Sequence, residues 1–120
     1  MSTDILITGG LGNLGSWLTE SYCRAGYNVT VLSKTNRNIL HDCSYDFISC
    51  DISNIEECEA SLKNKQFEYV IHAASSNDFF IDNYKEEAER INSQGTSNIL
   101  KALNKDKLKQ VIYLSTFQVY

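Results

Sequence analysis

The chain has 120 residues, enough for one domain with a hydrophobic core and too few for two. Hydrophobic residues make up 42% and charged residues 22%, as in ordinary globular proteins, and a net charge of −4 without a basic stripe argues against a nucleic-acid partner. No apolar run approaches the roughly 20 residues of a membrane span. The N-terminus lacks a basic region and an apolar signal core, so we expect a cytoplasmic protein without a membrane partner.

The first element is a short apolar strand from Ile5 to Ile7, followed by a glycine-rich turn. From Leu14 onward the apolar residues recur at helical spacing. This pattern predicts a helix from about Asn13 to Ala25 that ends at Gly26, a residue suited to a helix C-terminus. A strand, a glycine turn and a helix in this order form the phosphate-binding corner of a dinucleotide-binding fold.

Three glycines in this corner have separate roles. Gly9 lets the chain turn off the strand, Gly12 leaves space where backbone approaches a pyrophosphate, and Gly15 lets the helix pack closely on the sheet. The free N–H groups of the first helical turn, at Asn13 and Leu14, face the anion. The alternative is an ordinary glycine-containing turn, which the position between a strand and a helix disfavours.

A second strand is predicted from Asn28 to Leu32, and its end bears on cofactor choice. Many NAD-binding proteins of this fold have an acidic residue there, which hydrogen-bonds the ribose hydroxyls. This chain has Ser33 and Lys34, with Arg37 close behind. Serine does not repel a 2′-phosphate, and either cation can pair with one. We therefore expect NADP to be preferred over NAD, the alternative being that both cations are solvated loop charges.

A third strand is predicted from Tyr45 to Cys50, and Asp51 and Ile52 follow it. Next comes a helix, because Ser53 with Glu56 three residues later forms a capping box. The buried face of that helix carries Ile55, Cys58 and Leu62.

The second half of the chain repeats the alternation of strand and helix. A fourth strand is predicted from Phe67 to Ile71, with His72 next in the chain. A long helix is predicted from Tyr84 to Asn104, with a buried stripe that includes Gly95. A fifth strand is predicted from Gln110 to Leu114.

The four cysteines form no C-x-x-C pair, and neither histidine has a second ligand at metal spacing. We therefore predict no metal site and give a disulfide little support. Cys23 and Cys58 lie on predicted helices, and we expect both to pack in the core.

Five landmarks, in order, resemble the extended branch of the short-chain dehydrogenase/reductase superfamily, the sugar-nucleotide epimerase/dehydratase type. They are T-G-G-x-G-x-x-G in the first turn, the pair Asp51-Ile52, H-A-A from His72, N-x-x-G-T from Asn92 and S-T-x-x-V-Y from Ser115. The resemblance implies an α/β fold, a doubly wound parallel sheet (Rossmann fold) with strand order 3-2-1-4-5, truncated here after strand five.

The resemblance also implies roles on the cofactor side. Asp51 would accept from the adenine amino group, and Ile52 would pack on the adenine ring. The small side chains of Ala73 and Ala74 would let their loop lie against the ribose and pyrophosphate. His72 is expected to be structural, hydrogen-bonded beneath that loop.

On the substrate side, Asn92 would steady the active-site end of the sheet, and Gly95 would permit close helix–sheet packing. Thr116 would occupy the catalytic hydroxyl position and hydrogen-bond the reacting oxygen of the substrate. The helix 84–104 would form half of a homodimer interface, as in many extended members.

The implied function is a nicotinamide-dependent enzyme that transfers hydride to and from a nucleotide sugar, as epimerase, dehydratase or 4-keto reductase. The catalytic Y-x-x-x-K helix of the family would follow Tyr120. We therefore expect residues 1–120 to be the N-terminal, NAD(P)-binding portion of a longer protein and to be inactive alone. Two alternatives remain open: a non-catalytic NAD(P)-sensing or scaffolding module, and a reductase of a non-sugar alcohol or ketone.

Overall fold

The computed structural model describes residues 3–9, 13–34, 44–73 and 94–113. The elements, in chain order, are β1 (Asp4–Thr8), α1 (Asn13–Arg24), β2 (Asn28–Ser33), β3 (Asp46–Ser49), α2 (Ile55–Leu62), β4 (Tyr69–His72), α3 (described over residues 94–102) and β5 (Gln110–Tyr113). The strands pair in parallel in the order β3-β2-β1-β4-β5. This confirms the predicted doubly wound Rossmann topology.

The central strand β1 is buried on both faces because successive side chains of a strand point in opposite directions. Leu6 belongs to the core that contains Cys58 of α2 and Ile99 of α3. Ile5 and Ile7 belong to the opposite core, against which α1 packs with Leu18, Tyr22 and Cys23. Helices therefore cover both faces of the sheet, as a parallel sheet requires.

Helix α1 ends as predicted, at a glycine. Gly26 has a φ of 90°, in the left-handed region. The Tyr27 N–H donates to the Tyr22 carbonyl at 3.1 Å, and the Gly26 N–H donates to the Cys23 carbonyl at 3.2 Å. The rings of Tyr22 and Tyr27 meet edge to face with centroids 5.0 Å apart. These features make up a complete Schellman motif.

The capping box predicted for α2 is wrong by one residue. Asn54, not Ser53, is the N-cap, and its side chain accepts from the Glu57 N–H at 3.2 Å. The Ser53 hydroxyl donates to Asp51 at 2.7 Å instead. Because that hydroxyl is engaged by the preceding loop, the next residue caps the helix.

The cysteines differ from the prediction at one position. Cys23 packs at the edge of its core as expected, but it is disulfide-bonded. Cys50 and Cys58 are free and buried, with their sulfurs 3.8 Å apart. Sequence spacing gave the disulfide little support because pairing depends on which residues the fold brings together.

Two predicted elements of the second half extend beyond the described residues. The helix predicted from Tyr84 to Asn104 is described from residue 94 and ends at 102, and Asn104 instead forms a parallel bridge with Gln66. Strand β5 is described to Tyr113, so Leu114 lies outside the described residues.

In the described part of the chain, no helix has the length and apolar character needed to cross a membrane.

Candidate functional site

The carboxyl ends of the parallel strands meet at one edge of the sheet. Strands β2 and β3 continue from β1 in one direction, and β4 and β5 lie on its other side. The chain therefore reverses its direction of winding between β1 and β4. In open α/β sheets, ligands bind in the crevice outside the strand ends at this switch point.

Gly9, the residue directly after β1, has the backbone conformation expected where the chain turns away from that strand. Gly9 has a φ of 68°, which residues with a Cβ adopt with difficulty, and its N–H donates to the Leu32 carbonyl at 2.8 Å. Helix α1 then begins at Asn13, and its first turn carries no acidic residue. An anion at this helix N-terminus would meet free N–H groups without a repelling carboxylate.

The other residues predicted for this corner are described only in part. Gly15 is buried within α1, as close packing on the sheet requires. Gly12 lies outside the described residues, and so do the side chains of Asn13 and Leu14.

The ends of β2 and β3 place an amine beside a carboxylate. The Lys34 Nζ lies 3.7 Å from Asp51 Oδ2, and the Lys34 side chain is 72% exposed. The backbone holds the two strand ends together, because the Cys50 N–H donates to the Ser33 carbonyl at 3.0 Å and the Ser49 hydroxyl to the Lys34 carbonyl at 3.1 Å. Arg37, the other predicted cation, lies outside the described residues.

Asp51 is held as an anion at this edge. Its Oδ1 accepts from the Ser53 N–H at 3.0 Å and from the Ser53 hydroxyl at 2.7 Å. Hydrogen bonding by Ser53, chiefly from the hydroxyl, lowers the pKa of the Asp51 carboxyl, and Lys34 adds to the effect. A carboxylate only accepts hydrogen bonds, so Asp51 suits an amino-group donor such as that of adenine.

Ile52 is fixed by helix α3. The Asn98 Nδ2 donates to the Ile52 carbonyl at 2.8 Å, and Asn98 is only 5% exposed. A Cβ on Gly95 would lie 2.6 Å from Ile52 Cδ1, so a side chain at position 95 would displace the end of the Ile52 side chain. The close packing predicted for Gly95 is therefore made with the loop after β3.

Asn98 was not among the residues predicted from the sequence. The available signal was its spacing, since a residue three positions after Gly95 lies on the same face of the helix.

His72 lies beneath the crevice and joins three elements. Its Nδ1 is 2.6 Å from the Thr8 hydroxyl at the end of β1, and its Nε2 is 2.9 Å from the Thr96 hydroxyl on α3. The residue is 2% exposed, and burial lowers its pKa, which keeps the imidazole neutral at pH 7. The ring also stacks on Tyr113, with centroids 5.6 Å apart. These contacts are those of a structural histidine, as expected.

Ala73 follows His72 at the same edge, and its N–H donates to the Thr8 carbonyl at 3.0 Å. Ala74, Asn92 and Thr116 lie outside the described residues. The structure thus brings six of the predicted cofactor residues to the carboxyl edge: Gly9, Ser33, Lys34, Asp51, Ile52 and Ala73. Across the described ranges, no three His, Cys, Asp or Glu side chains cluster as a metal site would need.

A sequence model of the NAD-dependent epimerase/dehydratase family matches residues 5–120 of this chain. Vestitone reductase of Medicago sativa is 28% identical to this chain, in an alignment that covers 93% of this chain and 37% of the reductase. The dTDP-D-glucose 4,6-dehydratase of Dictyostelium discoideum is 30% identical to this chain, in an alignment that covers 97% of this chain and 29% of the dehydratase.

Among solved structures, the chain is similar to the Bordetella bronchiseptica enzyme WbmG in complex with NAD. The TM-score is 0.77 and the identity 26%, over 94% of this chain and 37% of that one. The chain therefore spans between 29% and 37% of the length of these three proteins.

Proposed function

The chain belongs to the NAD-dependent epimerase/dehydratase family, and from this membership we propose that it is the cofactor-binding portion of an enzyme that modifies a nucleotide sugar. The observation that carries the proposal is the convergence of the Gly9 turn, the ionised Asp51 and the anchored Ile52 at one edge of the sheet. The reaction would be an epimerisation, a dehydration or the reduction of a 4-keto group.

The residues at this edge suit the separate parts of a dinucleotide. The turn at Gly9 and the N-terminus of α1, which carries no acid in its first turn, suit the pyrophosphate. Asp51 can accept from the adenine amino group, and the Ile52 side chain offers an apolar surface beside it.

When bound, the nicotinamide would supply and accept the hydride exchanged with a sugar carbon. The chain's own task is then to hold the cofactor and one end of the substrate. We assign the binding of the reacting oxygen to the hydroxyl of Thr116, and the packing of the loop against the cofactor to Ala73 and Ala74. Asn92 would steady the same end of the sheet.

We further propose that NADP is preferred over NAD. Ser33 places no carboxylate at the end of β2, so nothing at that residue repels a 2′-phosphate. The Lys34 amine, largely exposed and 3.7 Å from Asp51, lies at the same strand end and can pair with the phosphate.

A homodimer through helix 84–104 is also proposed. Leu100 on the described part of α3 is 42% exposed, which is unusual for a large apolar side chain on a packed helix. The cytoplasmic location stays a prediction from the N-terminal sequence.

A second candidate is a reductase of a non-sugar ketone. The similarity to vestitone reductase over 93% of this chain favours it, because that relative is a reductase by name. The two candidates share the cofactor site and differ in substrate. Oxidation of the reduced cofactor by a 4-keto nucleotide sugar or by a non-sugar ketone, each offered separately to the intact protein, distinguishes them.

The first experiment is a titration of the intact protein with NADPH and, separately, NADH. Trp17 on α1 is 76% exposed, close to the proposed pyrophosphate site, so energy transfer from it to the reduced nicotinamide reports binding. We expect tighter binding of NADPH. Tighter binding of NADH would overturn the proposed preference for NADP but would still support the proposed cofactor site. A folded protein that binds neither NADPH nor NADH would overturn the proposed function.

A further inference from the structure

The loop after β3 is tied to helix α3 across a long stretch of sequence. The carbonyl of Ile52 accepts from the Asn98 Nδ2 at 2.8 Å, although the two residues are 46 positions apart. The Cys58 thiol of α2 also donates to this carbonyl, at 3.7 Å. A single backbone oxygen in a surface loop is thus held from two helices on the same face of the sheet.

The side chain of Ile52 is constrained as well. It packs on the core that lies beneath α2 and α3, and its Cδ1 and Cγ1 lie 2.6 and 2.8 Å from the position of a Cβ on Gly95. A larger residue at position 95 would push this side chain away from α3. Gly95 and Asn98 therefore fix the side chain and the backbone of the same residue.

The placement of Asn98 distinguishes it from an ordinary buried polar residue. Its amide does not cap a helix or join a strand, because its partner is the loop residue directly after Asp51. The hydrogen bonds within this loop run from Ser53 and Asn54 to Asp51, whereas the carbonyl of Ile52 is held by donors outside the loop. An apolar side chain at position 98 would leave the Ile52 carbonyl without its short hydrogen bond.

We infer that Asn98, with Gly95, is a positioning residue that holds Ile52 where the adenine ring of the cofactor packs. The inference rests on the proposed function, since it assigns a role within that cofactor site. It makes a specific claim, that Asn98 and Gly95 control affinity for the adenosine half of the dinucleotide and leave affinity for the nicotinamide half unaffected.

The experiment measures the affinity of the intact protein for each half of the dinucleotide separately. ADP represents the adenosine half and reduced nicotinamide mononucleotide the other half, each titrated by calorimetry against the wild type and Asn98→Leu. Leucine preserves the approximate shape of asparagine and removes the donor. We expect the Kd for ADP to rise by about tenfold, the effect of one buried hydrogen bond transmitted to the ring contact. The Kd for the mononucleotide should change by less than about twofold.

Two further variants protect the result against a general loss of structure. Gly95→Ala displaces the side chain of Ile52 instead of releasing its backbone carbonyl, and it should show the same selective loss of ADP affinity. It therefore replaces Asn98→Leu if that variant does not fold. Leu103→Val removes a methylene from the same core without altering a polar contact. It should lower the unfolding midpoint in urea while leaving both Kd values unchanged.

Each outcome has a defined meaning. A loss confined to ADP in the Asn98 or Gly95 variant supports the positioning role. An equal loss for both ligands, or no loss for either, overturns that role and leaves the cofactor site standing. A folded wild-type protein that binds neither ligand overturns the proposed function itself.

Discussion

The ends of strands β3 and β4 lie at the same edge of one sheet, and helix α3 contacts both, but they differ in character. At β3, Asp51 is an ionised, half-buried carboxylate next to the exposed amine of Lys34. At β4, His72 is a neutral, buried ring between Thr8 and Thr96. The first arrangement leaves charge available to a ligand, whereas the second uses its polar atoms within the protein. At the proposed binding edge, the end of β3 is therefore available for recognition of a ligand, whereas the end of β4 supports the fold.

The largest effect that tests this division is the loss of stability expected for His72→Leu. The substitution removes one buried hydrogen bond, one partly buried hydrogen bond and the stacking on Tyr113, so we expect the free energy of unfolding to fall by about 3 kcal/mol. Urea unfolding measures it, with Thr96→Val, which removes the hydroxyl that bonds to Nε2 and keeps the ring, as a milder control. If ADP affinity fell while stability stayed constant, His72 would belong to the recognition side.

Asp51→Asn tests the end of β3, and it should change ligand affinity. The amide keeps the shape and one acceptor oxygen but loses the charge, so we expect the Kd for ADP to rise by about fivefold. The control is Asp46→Asn, which makes the same charge change at the exposed amino end of β3. Equal effects of the two variants would show that Asp51 acts only through the net charge.

Ser33→Asp sharpens the prediction on cofactor preference. A carboxylate at the end of β2 would repel a 2′-phosphate and accept from ribose hydroxyls, so the ratio of NADPH to NADH affinity should fall by about tenfold. Ser33→Ala removes the hydroxyl without adding charge and should leave the ratio unchanged. A constant ratio in the aspartate variant would mean that the ribose does not lie at this strand end.

The smallest effect is a difference in pH dependence. Burial lowers the pKa of His72 below its ordinary value of 6.5, so below pH 6.5 the unfolded chain binds a proton that the folded chain excludes. Stability should therefore fall as the pH drops below 6.5. Asp51, whose pKa lies below its ordinary 3.8, stabilises the fold at higher pH and loses that contribution only below 3.8.

Urea midpoints between pH 7.5 and 3 measure both steps. His72→Gln should remove the contribution of His72 to the upper step, whereas Asp51→Asn should alter only the lower one. An upper step that is unchanged in His72→Gln would assign it to another group.

Much of the fold was predictable because its signals are local. The apolar runs and the glycine at position 26 predicted β1, β2 and the end of α1, since burial and a left-handed residue each depend on a few neighbouring positions. The cap of α2 was assigned to Ser53 because sequence does not show that Asp51 engages its hydroxyl. The disulfide at Cys23 was given little support because the sequence does not show which cysteines the fold brings together.

The sequence by itself determined the order of the elements, the glycine turn at Gly9 and the position of Asp51 and Ile52 directly after β3. These features follow from periodicity, backbone freedom and short motifs, all of which act within a few residues. Only the tertiary structure decided that Asn98 holds the Ile52 carbonyl and that His72 bridges β1 and α3. Those contacts join residues 24 to 64 positions apart. The pairing of β1 with β4 brings Thr8 to His72, and the packing of α3 on the sheet brings Asn98 and Thr96 within hydrogen-bonding distance of their partners.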